Sequence, residues 1–135
     1  MQKVSKGQLM KAAIKARNKA VAPYSKFKVG AALLTKRGEI ITGANVESAS
    51  YGLTCCAERV ALFSALTSGK KDFVAIAVTA EMDGGAMPCG ACRQLLFEYA
   101  PRAVVIVSDS RKGNQTKEFL VSDLLPGGFT FETSV

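Results

Sequence analysis

The sequence predicts an α/β protein, a three-layer α/β/α sandwich built around a mixed five-stranded sheet. Three observations lead to this prediction. Helical and strand-like segments alternate along the chain, an early pair of strands forms a hairpin, and two later strands are almost continuously apolar. With 135 residues, 48% of them hydrophobic, the chain has the size and apolar content of a single domain, 1–135.

Eight main elements are predicted in the order α-β-β-α-β-α-β-β. They cover 6–20, 29–35, 39–45, 56–68, 73–80, 89–99, 104–108 and 116–121. Ser5 and Gln8 form a capping-box pattern at the start of the first helix, and Pro23 stops it. A tight turn ending at Gly38 joins the two hairpin strands.

Glycine, proline and serine mark the ends of the later helices. Gly69 ends the second helix, and Pro88 opens the third, because proline suits a first helical turn. Ser122 is expected to cap a short helical turn near the C-terminus.

Composition narrows the possible functions. The net charge is +7, but the 18 basic residues are scattered and not interleaved with aromatics, so nucleic-acid binding is not expected. No apolar run reaches the roughly 20 residues of a membrane span, and the N-terminus lacks the features of a secretory signal. Four cysteines without histidine, spaced as metal ligands, predict a reducing compartment, the cytoplasm.

Three cysteines form a candidate zinc site. Cys89 and Cys92 face one side of a helix in its first turn, and Cys56 begins another helix. Free backbone N–H groups and the positive end of the helix dipole favour thiolates at both positions. Cys55 is excluded as a ligand because adjacent residues do not readily face one metal. Three thiolates leave the fourth zinc position to water, which is the catalytic pattern.

Glu58 is the candidate catalytic residue. Two residues after Cys56, it lies near the metal without ligating it, and a carboxylate there can carry protons between water and a leaving group. The alternatives are a glutamate that complements the helix dipole, and a Cys-x-x-Cys pair that belongs to a structural zinc site or a redox pair.

Two motifs resemble those of the cytidine deaminase family in its short homotetrameric form. They are Thr54–Arg59 (TCCAER) and Pro88–Gln94 (PCGACRQ). The resemblance extends over nearly the whole chain and includes Tyr24–Phe27, Val29–Leu33, Asn45–Glu47 and Leu124–Pro126. It implies a cytidine deaminase-like fold, Zn²⁺ as cofactor, a free nucleoside as substrate, and hydrolytic deamination of cytidine and deoxycytidine in pyrimidine salvage.

The resemblance also implies roles for individual residues. Cys56, Cys89 and Cys92 match zinc ligands, and Glu58 matches the proton carrier. The implied substrate-binding residues are Phe27 against the pyrimidine, Asn45 and Glu47 at the ribose, Val46 and Ala57 beside them, and Phe129. In a homotetramer with shared sites, Phe129 would reach the site of a neighbouring subunit.

Residue chemistry agrees with these roles. Asn45 and Glu47 are two residues apart at a strand end, so we expect their side chains to point the same way and suit two neighbouring hydroxyls. An aromatic ring such as Phe27 can stack on a base. Three thiolates over-neutralise zinc, so we expect Arg59, with Arg93 as a second candidate, to donate hydrogen bonds to the sulfurs.

Two rival functions follow from the same motifs. One is a deaminase with another substrate, such as an aminopyrimidine antibiotic or a base in RNA. The Asn-x-Glu pair favours a free nucleoside over these. The other rival is a zinc module that binds a partner without catalysis, which would not need Glu58.

Overall fold

The computed structural model describes residues 3–131, so the ends of the predicted domain, 1–2 and 132–135, lie outside the described residues. Within that range the helices are α1 (Lys6–Arg17), α2 (Ala57–Thr67), α3 (Gly90–Tyr99) and α4 (Val121–Leu124). The strands are β1 (Val29–Thr35), β2 (Ile40–Ala44), β3 (Phe73–Ala80), β4 (Val104–Asp109) and β5 (Thr116–Leu120). None of the helices in the described range is long and apolar enough to cross a bilayer.

The strands of residues 3–131 form one mixed five-stranded sheet, as predicted. Their order is β2-β1-β3-β4-β5. β3 and β4 are parallel, joined by a crossover through α3, whereas the other neighbouring pairs are antiparallel. Both β3 and β4 are buried along most of their length, which explains their continuous apolar sequence.

Helices cover both faces of the sheet, which confirms the three layers. α1 packs Leu9, Met10 and Ala13 against one face. α2 and α3 pack Leu62 and Leu96 against the other face. Successive residues of a strand point to opposite faces, so the central strands contribute to both cores.

The N-terminal helix is shorter than predicted. The capping box of Ser5 and Gln8 is present, but α1 ends at Arg17 instead of residue 20. The N–H of Asn18 donates to the carbonyl oxygens of Lys15 and Ala16, which ends the helix. Pro23 lies beyond this end and is therefore not the residue that terminates α1.

The helices that carry the candidate ligands begin one residue later than predicted. Cys56 and Cys89 occupy the N-cap positions of α2 and α3, so Pro88 precedes the helix rather than opening its first turn. Ser122 is not a cap, because α4 already begins at Val121. A 3₁₀ turn at Tyr51–Leu53 was not predicted from the sequence.

Gly43 allows α2 to approach β2 closely. A Cβ atom at this position would lie 2.5 Å from both the carbonyl oxygen of Ala57 and the backbone nitrogen of Ala61. Real Cβ atoms do not come this close to backbone, so only glycine fits. The first turn of α2, which carries Glu58, is therefore held directly against the sheet.

Candidate functional site

The three predicted cysteine ligands lie together at the N-termini of α2 and α3. The sulfur atoms of Cys56 and Cys89 are 3.9 Å apart, and the sulfurs of Cys56, Cys89 and Cys92 all lie within 4.8 Å of one another. Cys92 is buried in the first turn of α3, whereas Cys89 is exposed. The two helix starts thus bring three thiols to one point and direct their positive dipole ends towards it.

This arrangement fits a zinc ion. Ligands at a Zn–S distance of about 2.3 Å in a tetrahedron place their sulfurs about 3.8 Å apart, close to the Cys56–Cys89 separation. The donor set is three thiolates with no fourth protein ligand among the described His, Cys, Asp and Glu residues. Cys55 lies outside the cluster, and burial raises the pKa of its thiol.

Hydrogen bonds stabilise negative charge on Cys56. The pKa of Cys56 is lowered to about 5, because the Cys92 thiol and the Arg59 guanidinium donate to its sulfur. Arg59 Nη2 lies 3.3 Å from Cys56 Sγ and 3.4 Å from the carbonyl oxygen of Thr54. The same contact raises the pKa of Arg59. Arg59 therefore places a positive charge beside the predicted ligand.

Glu58 is buried next to the cysteines. The residue is only 5% exposed, and this burial raises its pKa to about 7. The negative charge of Cys56 raises the pKa further, while a hydrogen bond from Cys92 and the charge of Arg59 lower it. A carboxyl group with this pKa takes up and releases protons readily near neutral pH.

A cavity of about 210 Å³ opens onto the cluster. Six of the predicted site residues line it: Phe27, Asn45, Cys56, Ala57, Glu58 and Cys89. Five lining residues were missed by the sequence analysis: Val29, Thr54, Val78, Ala86 and Met87. Thr54 begins the first cysteine motif, and Ala86 and Met87 directly precede the second, so their position at the motifs is the signal that could have identified them.

The proposed ribose pair is divided between two neighbouring cavities. Asn45 lines the cavity at the cysteines, whereas Glu47 lines the adjacent one, and Thr54 borders both. Asn45 Nδ2 donates to the carbonyl oxygen of Phe27 at 2.8 Å, and Asn45 Oδ1 accepts from the N–H of Val29 at 2.9 Å. One amide proton and one lone pair of Asn45 remain for a ligand.

Glu47 is fixed by the loop that precedes β1. Glu47 Oε1 accepts the N–H of Tyr24 at 3.0 Å and the N–H of Ser25 at 3.1 Å. The hydroxyl of Ser25 donates to Glu47 Oε2. These hydrogen bonds, that of the Ser25 hydroxyl above all, lower the pKa of Glu47, so the carboxylate is ionised and held in one orientation.

Val46 connects three segments of the site through its backbone. Its N–H and carbonyl groups pair with Cys55, and residues 45 and 47 pair with Val21 on the other side. Val46 therefore ties the predicted ribose-binding segment to the chain that leads into Cys56. Its side chain is exposed.

Two of the expected site residues do not contact the cluster. Phe129 is exposed, its ring packs edgewise on Phe131, and its carbonyl oxygen accepts from Gln94 at 2.6 Å. Arg93 does not donate to the sulfurs as expected. Its Nε donates to the carbonyl oxygen of Pro88 at 2.8 Å, and its Nη1 donates to that of Leu124 at 3.3 Å.

Comparison with known proteins places these features in a family. Residues 3–108 match the family model of the cytidine and deoxycytidylate deaminase zinc-binding region. A cytidine deaminase of Halalkalibacterium halodurans is 53% identical over 124 residues, which cover 92% of this chain and 93% of that protein. A blasticidin-S deaminase of Bacillus cereus is 36% identical over 114 residues, covering 78% and 79%.

Solved structures agree with this assignment. The crystal structure of a cytidine deaminase from Burkholderia pseudomallei superposes with a TM-score of 0.89 at 48% identity, covering 93% of this chain and 100% of that one. The shared fold, the cysteine cluster and the family match over residues 3–108 lead to one conclusion. The chain belongs to the family of zinc-dependent cytidine and deoxycytidylate deaminases.

Proposed function

We propose that this protein hydrolyses cytidine and deoxycytidine to uridine and deoxyuridine, with release of ammonia. The observation that carries the proposal is a cluster of three thiols beside one buried carboxyl, Glu58, at a cavity that Cys56, Cys89 and Glu58 line. The H. halodurans protein, at 53% identity, is a cytidine deaminase, which supports cytidine as the substrate.

Cys56, Cys89 and Cys92 would hold the zinc ion. Bound zinc supplies a Lewis acid that makes a water molecule acidic enough to act as the nucleophile at neutral pH. The dipoles of α2 and α3 stabilise the thiolates that this binding requires.

Glu58 would carry the protons of the reaction. Its carboxylate accepts a proton from the attacking water and passes it to the pyrimidine nitrogen next to the amine-bearing carbon. After the attack, the same carboxylate takes the remaining proton from the new hydroxyl group on that carbon and delivers it to the amine, which leaves as ammonia while the carbonyl group of uridine forms. Burial raises the pKa of this carboxyl towards neutrality, which suits a group that must both accept and release a proton.

Three side chains would bind the nucleoside. Phe27 borders the cavity and offers a ring for stacking on the base. Asn45 retains one free donor and one free acceptor, and the oriented carboxylate of Glu47 accepts from a sugar hydroxyl. Val46 and Ala57, adjacent to these residues, would complete the binding surface.

Arg59 would adjust the charge of the metal site. Three thiolates donate more negative charge than the zinc ion carries positive charge, which weakens its effect on water. The hydrogen bond from Arg59 to Cys56 Sγ withdraws part of that charge.

The decisive experiment is Glu58→Gln with zinc analysis. The variant should bind about one zinc per chain, whereas its rate of uridine formation should fall by several orders of magnitude. Glu118→Gln, on the exposed strand β5, is the matched control and should retain full activity. Full activity of Glu58→Gln would exclude this mechanism, whereas zinc binding without uridine formation in the unaltered protein would favour a non-catalytic zinc module.

A substrate panel separates the remaining candidates. The similarity to a blasticidin-S deaminase keeps that antibiotic as a second candidate substrate. Cytidine, deoxycytidine, cytosine, CMP, blasticidin S and a short RNA should be compared by kcat/KM. Faster turnover of blasticidin S, CMP or RNA than of cytidine would overturn the proposal.

We also propose that the protein is a homotetramer with shared sites, acting in cytoplasmic pyrimidine salvage. Large apolar side chains are exposed at Tyr51, Leu53, Phe129 and Phe131, and Tyr51 lines the cavity that contains Glu47. Such side chains suit a contact between subunits. All four cysteines are free, in keeping with a reducing compartment. Light scattering should give four times the chain mass of 14.3 kDa.

A further inference from the structure

The hydroxyl of Ser25 lies between two residues of the proposed substrate site. The N–H of Phe27 donates to Ser25 Oγ at 3.0 Å, and the Ser25 hydroxyl donates to Glu47 Oε2. Because the N–H of Phe27 occupies one side of the oxygen, the hydroxyl proton is directed towards Glu47. Ser25 lies in the segment Tyr24–Phe27 that resembles the family, but the sequence analysis gave it no role.

Ser25 contacts both oxygens of the Glu47 carboxylate. Its backbone N–H donates to Oε1 and its hydroxyl donates to Oε2, so Ser25 binds the carboxylate through both oxygens. The N–H of Tyr24 adds a second bond to Oε1. An ionised carboxylate offers about four lone-pair positions, and three of them are filled by these donors. The remaining position lies on Oε2, the oxygen held by the hydroxyl.

The backbone around Ser25 is held in an uncommon conformation. Lys26, the next residue, has φ = 63°, in the left-handed region that costs free energy for a residue with a Cβ atom. The N–H of Lys26 donates to the carbonyl oxygen of Ala22 at 3.1 Å, and the N–H of Phe27 donates to Ser25 Oγ. These bonds stabilise a turn whose result is to point Ser25 at Glu47.

We propose that Ser25 is a positioning residue that aims the Glu47 carboxylate at a sugar hydroxyl and thereby makes the enzyme prefer substrates with an intact ribose or deoxyribose. The inference rests on the proposed function, since Glu47 is the residue taken to bind the sugar. Ser25 does not touch the base or the reacting atoms. Its removal affects binding of the sugar and leaves the chemical step intact.

The experiment compares cytidine with 2′,3′-dideoxycytidine, which lacks the sugar hydroxyls that Glu47 would bind. In Ser25→Ala, the KM for cytidine should rise about tenfold, in line with the loss of a hydrogen bond to a charged group. The KM for dideoxycytidine and the kcat for both substrates should change less than about threefold. Ser25→Thr keeps the hydroxyl and should restore most of the selectivity. Ser64→Ala, on the exposed face of α2, is the matched control.

The outcomes separate the two proposals. If the unaltered protein has equal KM values for the two nucleosides, the role of Glu47 in sugar binding fails, and the role of Ser25 fails with it. If the unaltered protein discriminates and Ser25→Ala discriminates equally well, only the inference about Ser25 is overturned. A proportional rise of both KM values would indicate general loosening of the loop and would also overturn it.

A second measurement does not depend on activity. Carboxyl-detected NMR should show that the pKa of Glu47 rises towards its ordinary value in Ser25→Ala, because the largest cause of its lowering is removed. The backbone donors and the charge of Lys26 remain, so the rise is partial. An unchanged Glu47 titration would show that the hydroxyl does not hold the carboxylate.

Discussion

Arg93 Nε donates to the carbonyl oxygen of Pro88 across 2.8 Å, and Pro88 is covalently bonded to the zinc-ligand candidate Cys89. Arg93 Nη1 also donates to the carbonyl oxygen of Leu124, so one side chain ties the chain before Cys89 to the end of α4. Pro88 itself is buried. Cys89 itself is exposed, so we expect this tie to hold the backbone that presents its thiol.

The hydrogen bond from Arg93 to Pro88 predicts that Arg93→Ala binds zinc more weakly. Groups that orient a metal ligand typically contribute about 10- to 100-fold to affinity, so chelators should remove zinc from the variant at least tenfold faster. Zinc release can be followed with a colorimetric chelator. Arg102→Ala, in the exposed turn between α3 and β4, is the control. Equal release rates for Arg93→Ala and the unaltered protein would show that Pro88 needs no such support.

Arg59→Ala should reduce the rate at constant zinc content. Losing a hydrogen bond to a charged sulfur removes about 1.5–3 kcal/mol, which corresponds to a fall in kcat of about 10- to 100-fold if the interaction is needed in the transition state. Arg59→Lys keeps the charge but not the planar guanidinium and should recover part of the rate. Unchanged kcat in a fully zinc-loaded Arg59→Ala protein would remove its proposed role.

Most of the fold was predictable because its signals are local. Helical spacing, the capping box and continuous apolar runs each depend on a few neighbouring residues. The three cysteines were predictable for the same reason, since each lies at a helix start. The C-terminal end of α1 was not predictable, because the turn after Arg17 depends on backbone bonds and not on Pro23.

The unpredicted part of the site depends on contacts between distant segments. Ser25 meets Glu47 only because Val21 pairs with the backbone on both sides of Val46, and no local pattern encodes that pairing. The hydrogen-bond partners of Arg93 could not be predicted for the same reason. The helix fixes its position near Cys89, but the choice between sulfur and carbonyl acceptors depends on where Pro88 and Leu124 lie.

Gly43→Ala tests how closely α2 must pack on the sheet. The added methyl group would meet backbone atoms of Ala57 and Ala61 at 2.5 Å, so α2 has to move. We expect the free energy of unfolding to fall by about 1–3 kcal/mol, measured by urea denaturation, with reduced zinc binding because Cys56 moves with the helix. Gly52→Ala is the matched control, since no atom lies within 4 Å of its new Cβ. Equal stability of the two variants would contradict the close packing.

The ion pair between Asp109 and Arg111 should make the free energy of unfolding depend on pH in the acidic range. Two hydrogen bonds from the Arg111 guanidinium, at 3.0 and 2.8 Å, lower the pKa of Asp109 to about 2. The pKa is lower in the folded state than in the unfolded chain, so this contribution to stability is present above pH 4 and is lost as pH falls towards 2.

Urea midpoints measured from pH 6 to pH 2 check this contribution. Asp109→Asn should be less stable at pH 6 but should lose less stability on acidification than the unaltered protein. Asp123→Asn, on the exposed side of α4, serves as the control. Parallel pH curves for Asp109→Asn and the unaltered protein would show that another group is responsible.

Phe129 should act in the site of a neighbouring subunit. Phe129 is 62% exposed and does not border the cavity at Cys56 within its own chain, while Gln94 holds its backbone in place. In a homotetramer with shared sites, Phe129→Ala and Glu58→Gln each disable every site. Mixed tetramers contain sites that combine Glu58 of one chain with Phe129 of another. Random mixing of equal amounts should therefore restore about a quarter of full activity.

Subunit exchange makes this prediction specific. The two variants should be mixed after mild dissociation and reassociation, and cytidine turnover should be compared with that of each variant treated alone. Recovery above the sum of the separate activities requires Phe129 to act between chains, because neither variant can repair its own site. Activities that merely add would place Phe129 outside the neighbouring site, and full activity of Phe129→Ala alone would remove it from catalysis altogether.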